Sequence, residues 1–465
     1  MILAFISFVL VLRGVSGDSL WCQLCDCSPA GVVNCRNAGL NQLSSLFNSS
    51  DSSNFSAIYL DDNSVREVPA FPENRLNLTV LSFRNNSIVR IANAAFRFVG
   101  GLKEIDLSFN LLASSTFKGE VFQGLYSSEG YEPLDIEVLN LGHNGLHTLD
   151  PDLFEHLPKL RVLSLDSNPL TMIDHPTLIA LANIPLLEYL DLSRTQLRDI
   201  PPSMLHTSNH LHVLNISFNL FEDIPKALEA THELQDLVIS GNIIQEIHSS
   251  PHVPSLVRLE LSSMPKLRKI GSRGLGNFTN LKELVIYNNT HLFEIADDAL
   301  VYEGEFNEKT WPEIKKLNIS YNKLAWLDSE FIANWDKIEQ FGFDENPWVC
   351  DCQNQWFLYE LIPAIHKIQP EEAAKMKCQD PIEMRGISML TLSKDGAEMR
   401  CLDKYGHHPE NDGQVLFFLL IAMLFCVPII VGSLMCYKRT YWRSFPSGPK
   451  CSYQRSGSLE TIYHQ

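Results

Sequence analysis

The sequence predicts an α/β solenoid. About twelve short coils stack into a horseshoe with a parallel β-sheet on its concave side. Disulfide caps close both ends, and one transmembrane helix follows the second cap. Three observations predict this. One apolar pattern recurs through a long middle without cysteine. Eight of the eleven cysteines stand in two groups of four, at the two ends of that middle. An uncharged run of 23 residues comes after them.

Met1–Leu12 is apolar, and Val15-Ser16-Gly17 closes the segment with small residues. Residues 1–17 read as a secretory signal. Cys22, Cys25, Cys27 and Cys35 follow in a first cap over 18–54. Cys350, Cys352, Cys378 and Cys401 lie in a second cap over 347–401. In an oxidising compartment each group reads as two disulfides, and each allows three connectivities. Zinc held by Cys-x-x-Cys-x-Cys is the rival reading, which secretion disfavours.

Between the caps, residues 55–346 repeat Leu-x-x-Leu-x-Leu-x-x-Asn-x-Leu. Leu102-Ile105-Leu107-Asn110-Leu112 and Leu160-Leu163-Leu165-Asn168-Leu170 are two matches. Twelve units open at Phe55, Leu78, Leu102, Ile136, Leu160, Leu187, Leu211, Leu234, Leu256, Leu281, Ile314 and Ile338, mostly 22 to 27 residues apart. Such a period with this pattern is the leucine-rich-repeat signature. In each unit x-Leu-x-Leu-x is a strand with its leucines inward and their neighbours outward. One coil cannot bury its own ends, so coils stack and share a core. The slot Asn has a buried amide, which needs backbone partners in its own and the adjacent coil. Thr195 and Met264 replace it in two units, which predicts local irregularity, mostly at Met264-Pro265. Two long units place insertions at 113–135 and 296–313.

Residues 402–414 read as a stalk of at most about 45 Å. Val415–Tyr437 has no charge. As a helix it is about 34 Å long, enough to span a bilayer core. Lys438, Arg439 and Arg443 follow at once, which places the tail 438–465 in the cytoplasm and the N-terminal mass outside. The formal charge is −18. The tail contributes +4 and Arg13 +1, so residues 18–414 carry −23. An acidic outer segment argues against nucleic acid and anionic lipid as partners.

From Cys22 to Cys401 the chain resembles extracellular leucine-rich-repeat, single-pass membrane proteins of the adhesion and receptor type. Asn346-Pro347-Trp348-Val349-Cys350-Asp351-Cys352, with Trp356, Cys378 and Cys401, resembles that family's carboxy-terminal cap. Cys-x2-Cys-x-Cys-x7-Cys is a shifted version of its amino-terminal cap. First-to-third and second-to-fourth pairing in such caps implies Cys22–Cys27, Cys25–Cys35, Cys350–Cys378 and Cys352–Cys401. The tail has no room for a kinase or a Toll-type signalling domain.

No catalytic motif and no cofactor is called for. His232-Glu233-Leu234-Gln235-Asp236 has Asp where a zinc-protease helix has its second His. Gly271-Ser272-Arg273-Gly274-Leu275-Gly276 has the wrong order for a dinucleotide loop, and His206, His210 and His212 read as solvated. Acceptor sequons stand at Asn48, Asn54, Asn77, Asn85, Asn215, Asn277, Asn288 and Asn318. Asn215 and Asn318 fall within two copies of LNIS. Their neighbours Leu214, Ile216, Leu317 and Ile319 face inward, so both Asn belong in the middle column of the concave sheet. Sugars there would leave the earlier concave face or an edge loop to a protein partner, with the insertions at 113–135 and 296–313 as a second candidate. That face carries Lys103, Glu104, Asp106, Phe109, His143, Asp166, Glu188, Tyr189, Asp191 and Arg194, where acids mix with aromatics as at interfaces. The expected function is non-enzymatic binding of an extracellular or cell-surface protein at the plasma membrane, by an adhesion or receptor protein. A matrix-organising protein and a co-receptor signalling through a partner's inner domain are the alternatives.

Overall fold

The computed structural model describes residues 20–28, 31–43, 55–73, 76–304, 306–401 and 409–443. The expected signal 1–17, Asn48, Asn54, most of the stalk and most of the tail lie outside the described residues. Thirteen strands of three residues each form one parallel sheet in chain order. They are β1 (Val32–Asn34), β2 (Ala57–Tyr59), β3 (Val80–Ser82), β4 (Glu104–Asp106), β5 (Val138–Asn140), β6 (Val162–Ser164) and β7 (Tyr189–Asp191). The rest are β8 (Val213–Asn215), β9 (Asp236–Val238), β10 (Arg258–Glu260), β11 (Glu283–Val285), β12 (Lys316–Asn318) and β13 (Gln340–Gly342). Strands β2 to β13 belong one to each repeat unit. β1 comes from the first cysteine segment and carries the sheet into the cap.

The register sets like positions side by side: Leu163 against Leu190, Leu214 and Leu237 along β6 to β9. These inward side chains are at most 1% exposed. Burial of each contributes about 1.5–3 kcal/mol. Because every coil touches only its neighbours, the gain exists only in the stack. One apolar cluster accordingly runs from Trp21 to Met399.

The slot asparagines form a second spine. Asn168 Nδ2 donates to the Leu141 carbonyl of the preceding coil (2.9 Å) and to Leu165 of its own (3.0 Å). Its Oδ1 accepts the Leu146 N–H at 3.0 Å. Asn63, Asn86, Asn110, Asn144, Asn219, Asn242 and Asn346 repeat the arrangement. Strand pairing runs unbroken through β7 and β10, and the irregularity expected at Thr195 is confined to the turn, where Gln196 has φ 64°. The asparagines of the following coils accept from both substituted positions. Asn219 Oδ1 takes the Thr195 N–H and hydroxyl, both at 3.0 Å, and Asn289 Oδ1 takes the Met264 N–H at 2.8 Å. The Met264 side chain fills its slot as buried apolar volume.

Opposite the sheet the chain is mostly turns. The helix His175–Ala182 starts where the Asp174 side chain accepts the Thr177 N–H. Both insertions fold as small hairpins, Tyr126–Ser127 with Gly130–Tyr131 and Tyr302–Glu303 with Lys309–Thr310. At the ends, Cys22 is bonded to Cys27, Cys25 to Cys35 and Cys350 to Cys378, while Cys352 and Cys401 are also in disulfides. Trp348 closes the last coil from below, its ring buried and its Nε1 donating to the Phe343 carbonyl at 2.9 Å.

Residues 400–465 form a separate unit. Its helix Pro409–Arg443 contains Leu416–Lys438, with mean hydropathy 2.7, long and apolar enough to cross a membrane.

Candidate functional site

From β4 to β12 each strand turns two residues outward, one on each side of its buried leucine or isoleucine. The first column runs Glu104, Val138, Val162, Tyr189, Val213, Asp236, Arg258, Glu283, Lys316. The second runs Asp106, Asn140, Ser164, Asp191, Asn215, Val238, Glu260, Val285, Asn318. Neighbours in a column are about 4.8 Å apart, so each outward side chain meets those one coil away.

Of the residues expected at a partner site, Glu104, Asp106, Tyr189 and Asp191 stand on this sheet. Lys103 and Glu188 stand one residue before it. There, charges of alternating sign pair coil to coil: Lys103 Nζ lies 2.8 Å from Glu137, and Arg161 is ion-paired with Glu188. Asp191 accepts bonds from the Ser193 N–H (2.8 Å), the Asn215 amide (3.0 Å) and the Tyr189 hydroxyl (3.3 Å). Burial, with Asp191 alongside, pushes the Tyr189 phenol up to about 12.

Phe109, His143 and Arg194 are not on the sheet. They occupy the turn that follows it, one position before the slot residue, with φ of 56°, 54° and 57°. This position is left-handed in coil after coil: Asn85, Phe218, Ser263, Asn288 and Tyr321 share it. The repeated backbone bonds of neighbouring coils, such as Phe109 N–H to Gly142 O and His143 N–H to Asp166 O, hold it there. The result is a rim of stacked side chains. The Arg84 guanidinium lies 4.2 Å over the Phe109 ring, and Phe109 stacks on His143 at 3.8 Å. His143 Nε2 is 3.3 Å from Asp166. Further along, Arg194 covers Phe218 at 4.0 Å, and Tyr287 packs against Tyr321. Gly241 has φ +71°, and a Cβ there would meet the Phe218 ring at 2.4 Å. Gly241 holds the same rim position as the residues above, and the Phe218 ring fills the space that a side chain there would take. Phe218, Tyr287 and Tyr321 are 43%, 38% and 44% exposed.

The later half of the sheet holds a charge centre that sequence reading misses. Arg258 reaches Asp236 (3.0 Å), Glu260 (2.6 Å) and Glu283 (3.0 Å), and Lys316 reaches Glu283 (3.0 Å). Burial alone would lower the Arg258 pKa and raise that of Glu283. The ion pairs outweigh burial in both cases, holding Arg258 above and Glu283 below its ordinary value. The signal was available: Asp236, Arg258, Glu283 and Lys316 alternate in sign down one column. In the earlier half, by contrast, no cation among the described residues lies within ion-pair distance of Glu104, Asp106 or Asp191.

Asn215 and Asn318 are half-buried on the sheet, not in the interior, and Asn77, Asn85, Asn277 and Asn288 are exposed. His210 and His212 both lie beside Glu233, at 3.5 and 3.4 Å, while His206 faces His232. Among the described residues no group of three or more His, Cys, Asp or Glu is placed to hold a metal.

Comparison with known proteins agrees with this architecture. The family described as "Leucine rich repeat" matches residues 134–182 and 185–244. Lumican of Homo sapiens is 32% identical over 293 residues, which cover 58% of this chain and 80% of lumican. The chain belongs to the leucine-rich-repeat family. A second leucine-rich-repeat relative, Toll-like receptor 5 of Homo sapiens, is 41% identical over 102 residues, 22% of this chain and 10% of the receptor. Among solved structures, a chain of the octameric complex of Latrophilin 3, Unc5D and FLRT2 is 19% identical. That match has TM-score 0.48 and covers 79% of this chain and 96% of that one.

Proposed function

We propose that this leucine-rich-repeat chain is a non-enzymatic cell-surface protein that binds another extracellular protein through its repeats. In this reading residues 1–17 direct secretion, 415–437 anchor the chain, and the stalk 402–414 and cytoplasmic tail 438–465 flank the anchor. The observation that carries the reading is the rigid outward face of β4 to β8. Its side chains are fixed by register on a shared core, half-exposed and left open above the sheet. Long, rigid, two-column faces suit the recognition of another folded surface, since little ordering entropy is lost on binding. Disulfides in both caps and a membrane-length apolar helix support an extracellular, single-pass arrangement.

The test is a binding screen of cells displaying the full chain against secreted and cell-surface proteins. The expected result is a saturable protein ligand that is retained when 438–465 is deleted. Loss of function on that deletion with ligand binding intact would favour the co-receptor role over adhesion. Failure to capture any protein across the screen would overturn the reading.

A further inference from the structure

The outward face of β4 to β8 differs from the rest of the sheet in three independent ways. Its first column presents Val138, Val162, Tyr189 and Val213, all half-exposed, with nothing over them among the described residues. Its carboxylates Glu104, Asp106 and Asp191 have no cation partner there, because Lys103 and Arg161 are consumed by Glu137 and Glu188. Acceptor sequons are sparse on it: Asn85 precedes the face, residues 86–214 hold none, and Asn215 stands on its last strand with its amide bonded to Asp191 at 3.0 Å. The later half is the reverse, with its acids neutralised by Arg258 and Lys316 and with Asn318 beside them.

We infer that this window is the docking face for a basic protein segment, one that sets an aliphatic or aromatic side chain on the valine and tyrosine column and lysine or arginine on Glu104, Asp106 and Asp191. The inference rests on the protein-binding reading above and names the partner's chemistry. Charge decides among occupants. A second copy of the chain, docking by the same face, would set carboxylate against carboxylate, since a two-fold contact repeats one patch on both sides. A polyanionic sugar would be repelled by the same groups and by the −23 of residues 18–414. A cationic protein gains attraction over the window and meets an apolar centre inside a charged border, the composition of an interface core and rim.

The test uses the full chain in detergent micelles and two synthetic peptides, one alternating lysine with valine, the other glutamate with valine. The lysine peptide should bind, and the paired substitution D106N/D191N should weaken it about tenfold, two charge contacts of roughly 0.7 kcal/mol each. E222Q/D223N, which removes the same charge from an exposed turn off the sheet, should change it less than about twofold. V162K keeps the acids, adds a cation at the centre and should abolish binding. Equal losses in the two charge-removing variants, binding of the glutamate peptide, or no binding of the lysine peptide would overturn the inference. A protein ligand from the cell screen whose affinity ignores D106N/D191N would overturn it too, while leaving the protein-binding reading intact. An empty screen is the failure of that reading instead.

Discussion

Replacing Asn168 by Ala probes the polar spine where it has least redundancy. The Asn168 amide donates to the carbonyls of Leu141 and Leu165, and its Oδ1 accepts from Leu146. The Leu141 carbonyl keeps a second donor in Asn144 at 3.1 Å. The Leu165 carbonyl does not, because the next coil has Thr195 in the slot and its hydroxyl turns to Leu192 and Asn219. The substitution therefore strands one carbonyl and one N–H, both buried. At about 1–3 kcal/mol for each stranded group the cost is about 2–6 kcal/mol. Neighbour coupling concentrates the loss at the junction of the units opening at Ile136 and Leu160. Hydrogen exchange on the full chain reads this locally. Leu146 N–H should lose protection by several orders of magnitude, while the amide of Leu317, in β12, stays as protected as before. A loss below about 1 kcal/mol, or one spread evenly over all coils, would refute the reasoning.

Three further outcomes follow from the sheet and its rim. R258M leaves Asp236 and Glu260 without a cation and should cost about 1–3 kcal/mol near neutral pH, the buried-pair value discounted for partial exposure. The depressed Glu283 carboxyl contributes stability that is present above its unfolded pKa and lost as pH falls through its folded one. The gap between wild type and R258M, measured by denaturation, should therefore narrow from pH 7 towards pH 3; a constant gap would contradict the ion-pair account. G241A forces a left-handed alanine and a clash with Phe218, and should destabilise by about 1–3 kcal/mol. The double variant G241A/F218A should recover part of that loss, and a strictly additive pair would contradict the contact. For Tyr189, ultraviolet titration should find one phenol ionising near pH 12. The folded state then holds a proton that the unfolded chain releases near pH 10, so stability falls between these values, more steeply than in Y189F.

Much of this was legible in the sequence because the period is the structure. Leucine spacing gave the inward column, the slot asparagines gave the coil-to-coil bonds, and paired cysteine groups marked the ends. What stayed hidden depends on the alignment of coils, not on local propensity. Arg258 and its partners Asp236 and Glu283 lie more than twenty residues apart along the chain and meet only once the register is laid out. The rim was misplaced for a different reason. Phe109, His143, Phe218 and Tyr321 are bulky residues with positive φ, a conformation that intrinsic preference disfavours and the neighbouring turns impose. Phe109 and His143, read as strand residues, were assigned to the sheet face. Met264 looked like a defect because it lacks the slot amide, yet Asn289 of the next coil accepts its N–H and its side chain fills the slot as buried apolar volume.

Side-chain oxidation footprinting of the full chain, with and without a bound protein ligand, tests the central claim most directly. The account predicts that Tyr189 and Phe109, at the β4 to β8 window and its rim, are shielded on binding while Tyr287 and Tyr321 oxidise as before. Shielding of Tyr287 and Tyr321 with Tyr189 unchanged would contradict it.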